Sequence, residues 1–379
     1  MSPAGAVKVL HLADVHLDRP FVGLPLGDAR ERRNELRAAL ERALALASEI
    51  EVDLITIGGD LWEDEHVTPD TCKWVAGRLA RTGVPVCLIA GNHDPLRPGG
   101  PYRRTDWPQN VHLFPVGGSG ASEFRLGAVS VWGSSWGAVP SHADWLSSFR
   151  VPDDGRAHLL LLHGTSGPAA FQDGAHCPFA AQAVRAAGFQ LCLAGHLHAA
   201  GTRDEIVIYP GSLEPLAWGE TDRHGVAIVH LPPGGTAEVE LREMNRRRYA
   251  ELSLSCDGAE SSAEVESALD SAIAAGAAEQ PEGLCLRIRL TGRIAVDCEI
   301  DAGALRTRKG QLAMLEISDE TKPAFDLDAL ADGPTALATF VRDMRARVAE
   351  AEPEEHETLA SALELGLRAM HGDWLGHAD

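Results

Sequence analysis

No run of about 18 consecutive apolar residues occurs in the 379-residue sequence, so a membrane-spanning helix is not expected. No basic segment precedes an apolar signal core either. The opening "MSPAGAVKVLHLADVH" runs straight into polar residues and reads as a first strand, which leads to the expectation of a soluble, cytoplasmic protein. Cysteine is sparse and scattered. None of the seven (Cys72, Cys87, Cys177, Cys192, Cys256, Cys285, Cys298) forms a CxxC pair, and several sit in apolar runs such as "VPVCLIAG". They read as reduced thiols rather than a disulfide framework or a zinc site. Positive charge is also in short supply, with 34 Lys and Arg against 55 Asp and Glu for a net charge of -21. The imbalance is spread along the chain, -9 over residues 1–244 and -12 over 245–379. Such a field does not draw in nucleic acid, so a nucleic-acid function has to rest on local sites. Bound cations would offset part of the carboxylate excess.

What the chain does contain is a 45% hydrophobic complement, enough for a sizeable core and two or three domains. Up to about residue 231, short β-rich runs alternate with helical stretches. Strands are expected at 7–13, 52–60, 84–94, 111–114, 128–133, 158–164, 190–196, 205–211 and 225–231. Helices are expected from about Ala29 to Ser48, where Leu36, Leu40 and Leu44 share a face, and near 69–82. Near-continuous Val/Ile/Leu runs imply strands covered on both faces, in a layered α/β sheet or a two-sheet α/β sandwich. The stretches 231–241 and 245–252 read as an exit from that domain. A small α/β module follows, with a helix around Ser261–Ala275 and the alternating strand "LCLRIRL" at 284–290. Two helices close the chain. One covers about 335–350, with Leu337, Phe340, Val341, Met344 and Val348 in register, and the other carries Leu359, Leu363, Leu367 and Met370. The expected division is 1–244, 245–325 and 326–379.

Chemistry-bearing residues gather where the strands end. The first ends in Asp14-Val15-His16, the second in "GGD" with Asp60, and the third in "GNHD" with Asn92, His93 and Asp94. Two later strands end in "HG" with His163 and in "GHLH" with His196 and His198. The carboxyl ends of strands form the binding crevice of open α/β sheets. Residues i and i+2 of an extended segment face the same side, so Asp-x-His and His-x-His each direct two side chains into one cavity. The ligand arithmetic fits two metal ions: Asp14, His16 and His198 for one, Asn92, His163 and His196 for the other, Asp60 bridging. Mixed imidazole and carboxylate donors suit Mn²⁺, Fe or Zn²⁺ better than Ca²⁺ or Mg²⁺. His93 is left without a metal and is placed to protonate a leaving oxygen or stabilise phosphorane charge. Asp94 either holds the other ring nitrogen of His93 or caps the following loop.

The order D-x-H, G-D, G-N-H-D, H, G-H-x-H over about residues 7–231 resembles the calcineurin-like metallophosphoesterase superfamily. The resemblance implies a two-sheet α/β sandwich with a smaller α/β cap domain and C-terminal helices. It also implies a dinuclear site on Asp14, His16, Asp60, Asn92, His163, His196 and His198, and His93 as the catalytic histidine. "HLADVHLDRPF", "GGDLWEDE" and "YPGSLEPLAWGE" are similar to bacterial DNA repair exonucleases of the SbcD and YhaO-like type. That similarity implies Mn²⁺-dependent cleavage of DNA and an SbcC-type coiled-coil ATPase bound through the terminal helices; a homodimer is a further expectation. His66 and Arg19 are candidate substrate contacts, with a solvated loop histidine and an Asp18–Arg19 pair as the alternatives. The basic spots Arg246–Arg248, Arg287 with Arg289, and "RTRKG" (306–310) are candidate phosphate contacts or ordinary solvated charges. A small-molecule or nucleotide phosphodiesterase with a cap domain is the alternative function.

Overall fold

Runs such as "VKVLHL" and "AHLLLLH" offer no polar face, so strands built from them must be covered on both sides. The computed structural model describes residues 6–117, 120–138, 143–167, 176–279 and 283–371. By its internal packing the chain forms two compact units, Met1–Ala250 with Gln280–Cys285, and Glu251–Glu279 with Leu286–Asp379.

The strands of the first unit are β1 (Val7–Leu12), β2 (Leu54–Gly58), β3 (Val86–Ile89), β4 (Val111–Leu113), β5 (Ser122–Leu126), β6 (Val129–Gly133), β7 (Ala157–His163), β8 (Leu191–Gly195), β9 (Gly201–Arg203), β10 (Val207–Tyr209), β11 (Gly225–Leu231) and β12 (Glu238–Glu243). They make two six-stranded mixed sheets, ordered β12-β11-β1-β2-β3-β4 and β5-β6-β7-β8-β10-β9. Alternation along each strand decides which layer a residue joins. Val9, Leu54 and Ile89 of one sheet pack with Leu159, Leu161 and Leu193 of the other in an inner core. Leu10, Leu12, Ile55 and Ile57 face outward and pack with Leu36 and Leu40 of α1 (Leu26–Glu49) and with Val75 and Leu79 of α2 (Pro69–Thr82). On the far side, Leu160, Leu162, Cys192 and Ala194 are covered by Val184 and Phe189. The result is a two-sheet α/β sandwich. Each fully buried leucine in these layers contributes about 1.5–3 kcal/mol relative to exposure.

Two differences from the sequence reading have physical reasons. The "exit" at 231–241 ends in a strand rather than leaving the domain: Glu238–Glu243 pairs antiparallel with β11 as an edge of the first sheet, Val239 and Leu241 packing on the inner core while Glu238, Glu240 and Glu243 face solvent. A charged edge strand is an ordinary protection against further pairing, and it masks the apolar alternation. β5 and β9 are also edge strands, one partly exposed and one only three residues long, and neither carries a continuous apolar run. All seven cysteines are buried and unpaired.

β13 (Arg248–Ser255), β14 (Leu284–Thr291) and β16 (Met314–Asp319) form a three-stranded sheet whose residues from Glu251 and from Leu286 onward belong to the second unit, and there β15 (Arg293–Ile294) pairs with β17 (Lys322–Pro323) in a short ribbon. The helix Ser262–Glu279 buries Val265, Leu269 and Ile273 at i, i+4 and i+8. The helices Ala336–Glu350 and Pro353–His371 pair with each other through Val341, Met344, Leu363 and Leu367. Gly366 permits that approach, since a Cβ there would strike the Phe340 ring. Their apolar stripes are therefore mostly spent on one another; Leu365 and Met370 stay exposed. Residues 372–379 of the expected helical segment lie outside the described residues.

Candidate metal centre

Five strands of the two sheets deliver their carboxyl ends to one place. Asp14 and His16 follow β1, Asp60 follows β2, Asn92 and His93 follow β3, His163 closes β7, and His196 and His198 follow β8. The backbone there is held in an uncommon conformation: φ is +52° at Asp14, +50° at His16, +50° at Asp60 and +103° at His196. Non-glycine residues in the left-handed region cost on the order of 1–3 kcal/mol each and persist only when the surroundings over-determine them. Glycines make the approach possible. Gly59 lies at φ +93°, and a Cβ on it would strike the His163 ring and Gly91, while a Cβ on Gly91 would strike the Asp60 side chain.

Asp60 stands at the middle. Its Oδ2 lies 3.6 Å from His16 Nε2 and 3.4 Å from His163 Nε2, and its Oδ1 accepts from the His93 backbone N–H at 2.8 Å. On one side, ligand atoms of Asp14, His16 and His198 lie within 4.8 Å of one another. On the other, Asn92 Oδ1 is 2.9 Å from His163 Nε2 and 3.1 Å from His196 Nδ1. Asp14 accepts the His196 N–H with both carboxylate oxygens, joining the two sides. The seven residues expected as ligands lie in one cluster, with Asp60 between His16 and His163 and Asp14 within reach of both sides.

Hydrogen bonds fix the imidazole tautomers, because carboxylates and carbonyls can only accept. His16 Nδ1–H donates to Glu63 Oε1 at 2.9 Å, His198 Nδ1–H to Glu220 Oε1 at 3.0 Å, and His163 Nδ1–H to the Gly58 carbonyl at 2.8 Å. In its neutral form each ring leaves an Nε2 lone pair turned into the cluster. The His16 Nε2 is buried and has no hydrogen-bond partner, an arrangement that costs free energy unless a cation takes it. Lone pairs facing carboxylate and amide oxygens across roughly 3 Å are also what one ion's neighbouring ligands look like, given metal–ligand distances of about 2.0–2.2 Å. The residues present fit two divalent ions.

The electrostatics agree. Burial pulls His163 down, but the Asp60 and Asp14 carboxylates and the Gly58 carbonyl outweigh it and raise the group to about 9. Burial drives Asp60 up, yet the imidazoles of His163, His16 and His93 hold its carboxyl well below the usual range. His196 goes the other way: burial, with the neighbouring His163, lowers it to about 3. Without a cation the cluster holds protons on some imidazoles; a divalent ion would take their place.

Glu63 is one of the residues that sequence reasoning missed. Its Oε1 accepts from His16 and from Arg19 Nη1 at 3.0 Å, and its Oε2 faces His93 Nδ1 at 3.0 Å. This corrects the expectation for Asp94. Asp94 does not hold the His93 ring; it is fully buried and accepts from the backbone N–H groups of Asp60, Leu61, Trp62 and Gly91 and from the Tyr102 hydroxyl. A carboxylate so close to Gly91 is captured by the loop it stands in, and Glu63, on the facing loop, takes the imidazole. The hydrogen bond to Glu63 raises His93 above the ordinary histidine value. Glu63 and Glu220 both stood within motifs noted in the sequence, three residues past Asp60 and at the end of "YPGSLEPLAWGE", but no spacing rule marks either. His176, stacked on His196 at 5.2 Å and 20°, was missed as well.

Arg19 is drawn to Glu63, and Asp18 to Arg37, Thr71 and the Thr68 N–H, so these two do not pair with each other. His66 is exposed on the turn beyond Glu63, its backbone N–H donating to the Glu63 carbonyl. Several basic spots are engaged by acids: Arg247 with Glu35 and Glu31, Arg248 with Glu243, Arg287 with Glu251 and Glu316, and Arg308 with Asp270 and Glu266.

Comparison with known proteins gives the same answer as the geometry, since residues 7–200 match the calcineurin-like phosphoesterases. The chain belongs to that family. It is 31% identical over 238 residues to the uncharacterized metallophosphoesterase YhaO of Bacillus subtilis, covering 59% of this chain and 57% of that protein. It is 28% identical over 267 residues to the DNA double-strand break repair protein Mre11 of Haloferax volcanii, covering 67% of this chain and 56% of that one. The chain thus spans a little over half the length of these relatives. Among the described residues, no helix is long and apolar enough to cross a membrane.

Proposed function

We propose that this calcineurin-like phosphoesterase is a two-metal phosphodiesterase that cleaves DNA, with Mn²⁺ as its preferred ion and Fe or Zn²⁺ as the alternatives. The observation that carries the reading is Asp60 Oδ2 poised between His16 and His163, with His93 alongside on the arm of Glu63. When bound, a pair of divalent ions supplies Lewis-acid activation of water and of the phosphoryl group. Asp14, His16 and His198 would hold one ion, Asn92, His163 and His196 the other, and Asp60 both. The protein's own part in proton transfer falls to His93. Glu63 occupies Nδ1 and favours the charged ring, so the proton at Nε2 is available to a leaving oxygen near neutral pH. Arg19, held at the rim by Glu63, and His66, exposed on the next turn, are the candidate contacts to the substrate phosphates.

DNA is favoured by the likeness to repair proteins named Mre11 and by the second unit, which a small-molecule esterase does not need. Acidity and the pairing of several basic spots favour a second reading, a small phosphodiester as substrate. End-labelled duplex DNA with Mn²⁺, run beside a bis-aryl phosphodiester and the His93→Ala variant, decides between them. Stepwise shortening by the wild type alone supports the nuclease. Aryl diester cleavage with untouched DNA supports the second reading.

For partners, the proposal is an SbcC-type coiled-coil ATPase docking on the terminal helices through the exposed Leu365 and Met370, and a homodimer. Deleting residues 333–379 should abolish coelution with the ATPase, and light scattering on the full chain reads the dimer.

A further inference from the structure

The two halves of the cluster are backed very differently. His16 and His198, in the group with Asp14, each donate Nδ1–H to a glutamate, Glu63 at 2.9 Å and Glu220 at 3.0 Å. Glu220 is fixed in turn, its Oε2 accepting the Leu216 N–H at 2.8 Å. In the other group, His163 donates to the neutral Gly58 carbonyl, and His196 lies against the ring of His176. Its remaining ligand, Asn92, is uncharged. Leaving aside the shared Asp60, the first position therefore has three carboxylates in or directly behind its ligand set (Asp14, Glu63 and Glu220), whereas the second has only Asp14, which accepts the His196 backbone N–H and lies 4.0 Å from His163 Nδ1; among the described residues no carboxylate accepts from a second-group imidazole at hydrogen-bond distance behind its metal-facing nitrogen. Arg19 offsets part of the charge on Glu63, whereas the ion pair of Glu220 is with His198 itself.

A carboxylate behind an imidazole makes that imidazole a stronger donor and orients it, and removing such a partner costs about 10–100-fold in metal affinity. Resting on the two-metal reading above, we propose that the positions are thermodynamically unequal: the one formed by Asp14, His16 and His198 fills first and stays filled, and the one formed by Asn92, His163 and His196 is the exchangeable position. Glu220 is the positioning residue that sets the difference. The proposal makes occupancy of the second position, and not of the pair, the quantity that follows the free-ion level.

The test is binding, with no substrate present. The full chain is stripped with a chelator and titrated with Mn²⁺, counting the free ion by electron paramagnetic resonance and the heat by calorimetry. The wild type should show two classes of site separated by about tenfold or more. Glu220→Gln keeps an acceptor for His198 and removes the charge; it should weaken the tight class by about tenfold or more and leave the weak class in place. Asn92→Ala should abolish the weak class and leave the tight one. If Glu220→Gln does not fold, Glu63→Gln carries the same prediction from the other side of the cluster. Two classes of equal affinity, or a glutamine variant that leaves the tight class unmoved, would overturn the inequality while the two-metal reading stands. A wild type that binds no Mn²⁺ would remove that reading itself.

Discussion

In the first unit Asp14, Asp60 and Glu63 crowd among imidazoles at the strand ends, the first two fully buried and the third at 13% side-chain exposure. In the second unit charges meet at the surface in local sets: Arg287 with Glu251 and Glu316, Arg308 with Glu266 and Asp270, Arg345 with Asp328. Surface pairs of this kind are worth about 0–1 kcal/mol and say little about function. Buried charge without full pairing is expensive, and a fold keeps it only where something outside the polypeptide balances it. Two histidines, one on β1 and one just past its end, make the same contrast at close range. His11 is fully buried between the sheets, its Nε2–H donating to the Ala194 carbonyl and its Nδ1 accepting from the Thr56 hydroxyl. His16, five residues on and equally buried, leaves Nε2 unmatched. Burial alone does not separate a structural histidine from a candidate ligand; a free nitrogen turned towards a carboxylate that other imidazoles share does, as His16 Nε2 is towards Asp60.

The sharpest way to break the contrast is His93→Ala, which should lower kcat by about 10²–10⁴-fold with the fold intact, measured on an aryl phosphodiester. In the second unit the large effect should come from apolar contact instead. Leu367→Ala, at the centre of the helix pair, should cost about 2–5 kcal/mol in a denaturant titration. His11 supplies a pH test of the structural class. Burial lowers it to about 4 from an ordinary 6.5, so its neutral form stabilises the fold fully above 6.5, and about 3 kcal/mol is lost as the pH falls towards 4. His11→Gln should start less stable and lose less over that interval, read as Tm against pH. Glu63→Gln removes the charge that keeps His93 protonated, so the high-pH limb of the kcat profile should move to lower pH. Arg308→Ala should leave Tm and activity indistinguishable from wild type, although its ion pairs are short.

The clustering of the candidate ligands was legible because strand-end motifs are local: a pleated backbone turns Asp-x-His and His-x-His into pairs facing one cavity before any tertiary contact is known. The expectation that Asp60 stands between the two groups followed from counting donors, and its Oδ2 does lie between His16 and His163. Glu63 and Glu220 were not legible as partners, because they act across loops 47 and 22 residues from the histidines they hold. Asp94 was legible as one of two alternatives, and the choice depended on Tyr102 and on backbone amides no pattern reveals. The terminal helices showed their apolar register plainly, but register does not say whether a stripe meets a partner protein or the next helix; here Val341 and Met344 meet Leu363 and Leu367.

The grip of Asp94 has a consequence for inheritance. By gathering the amides of Asp60, Leu61, Trp62 and Gly91, with the His93 amide returning to Asp60, it yokes "GGDLW" and "GNHD" into one mechanical part. Neither loop has a geometry of its own to pass on. A chimera that grafts one of them from a distant relative, leaving the other native, inherits half a hinge, and the pair is expected to vary in descent as a single character.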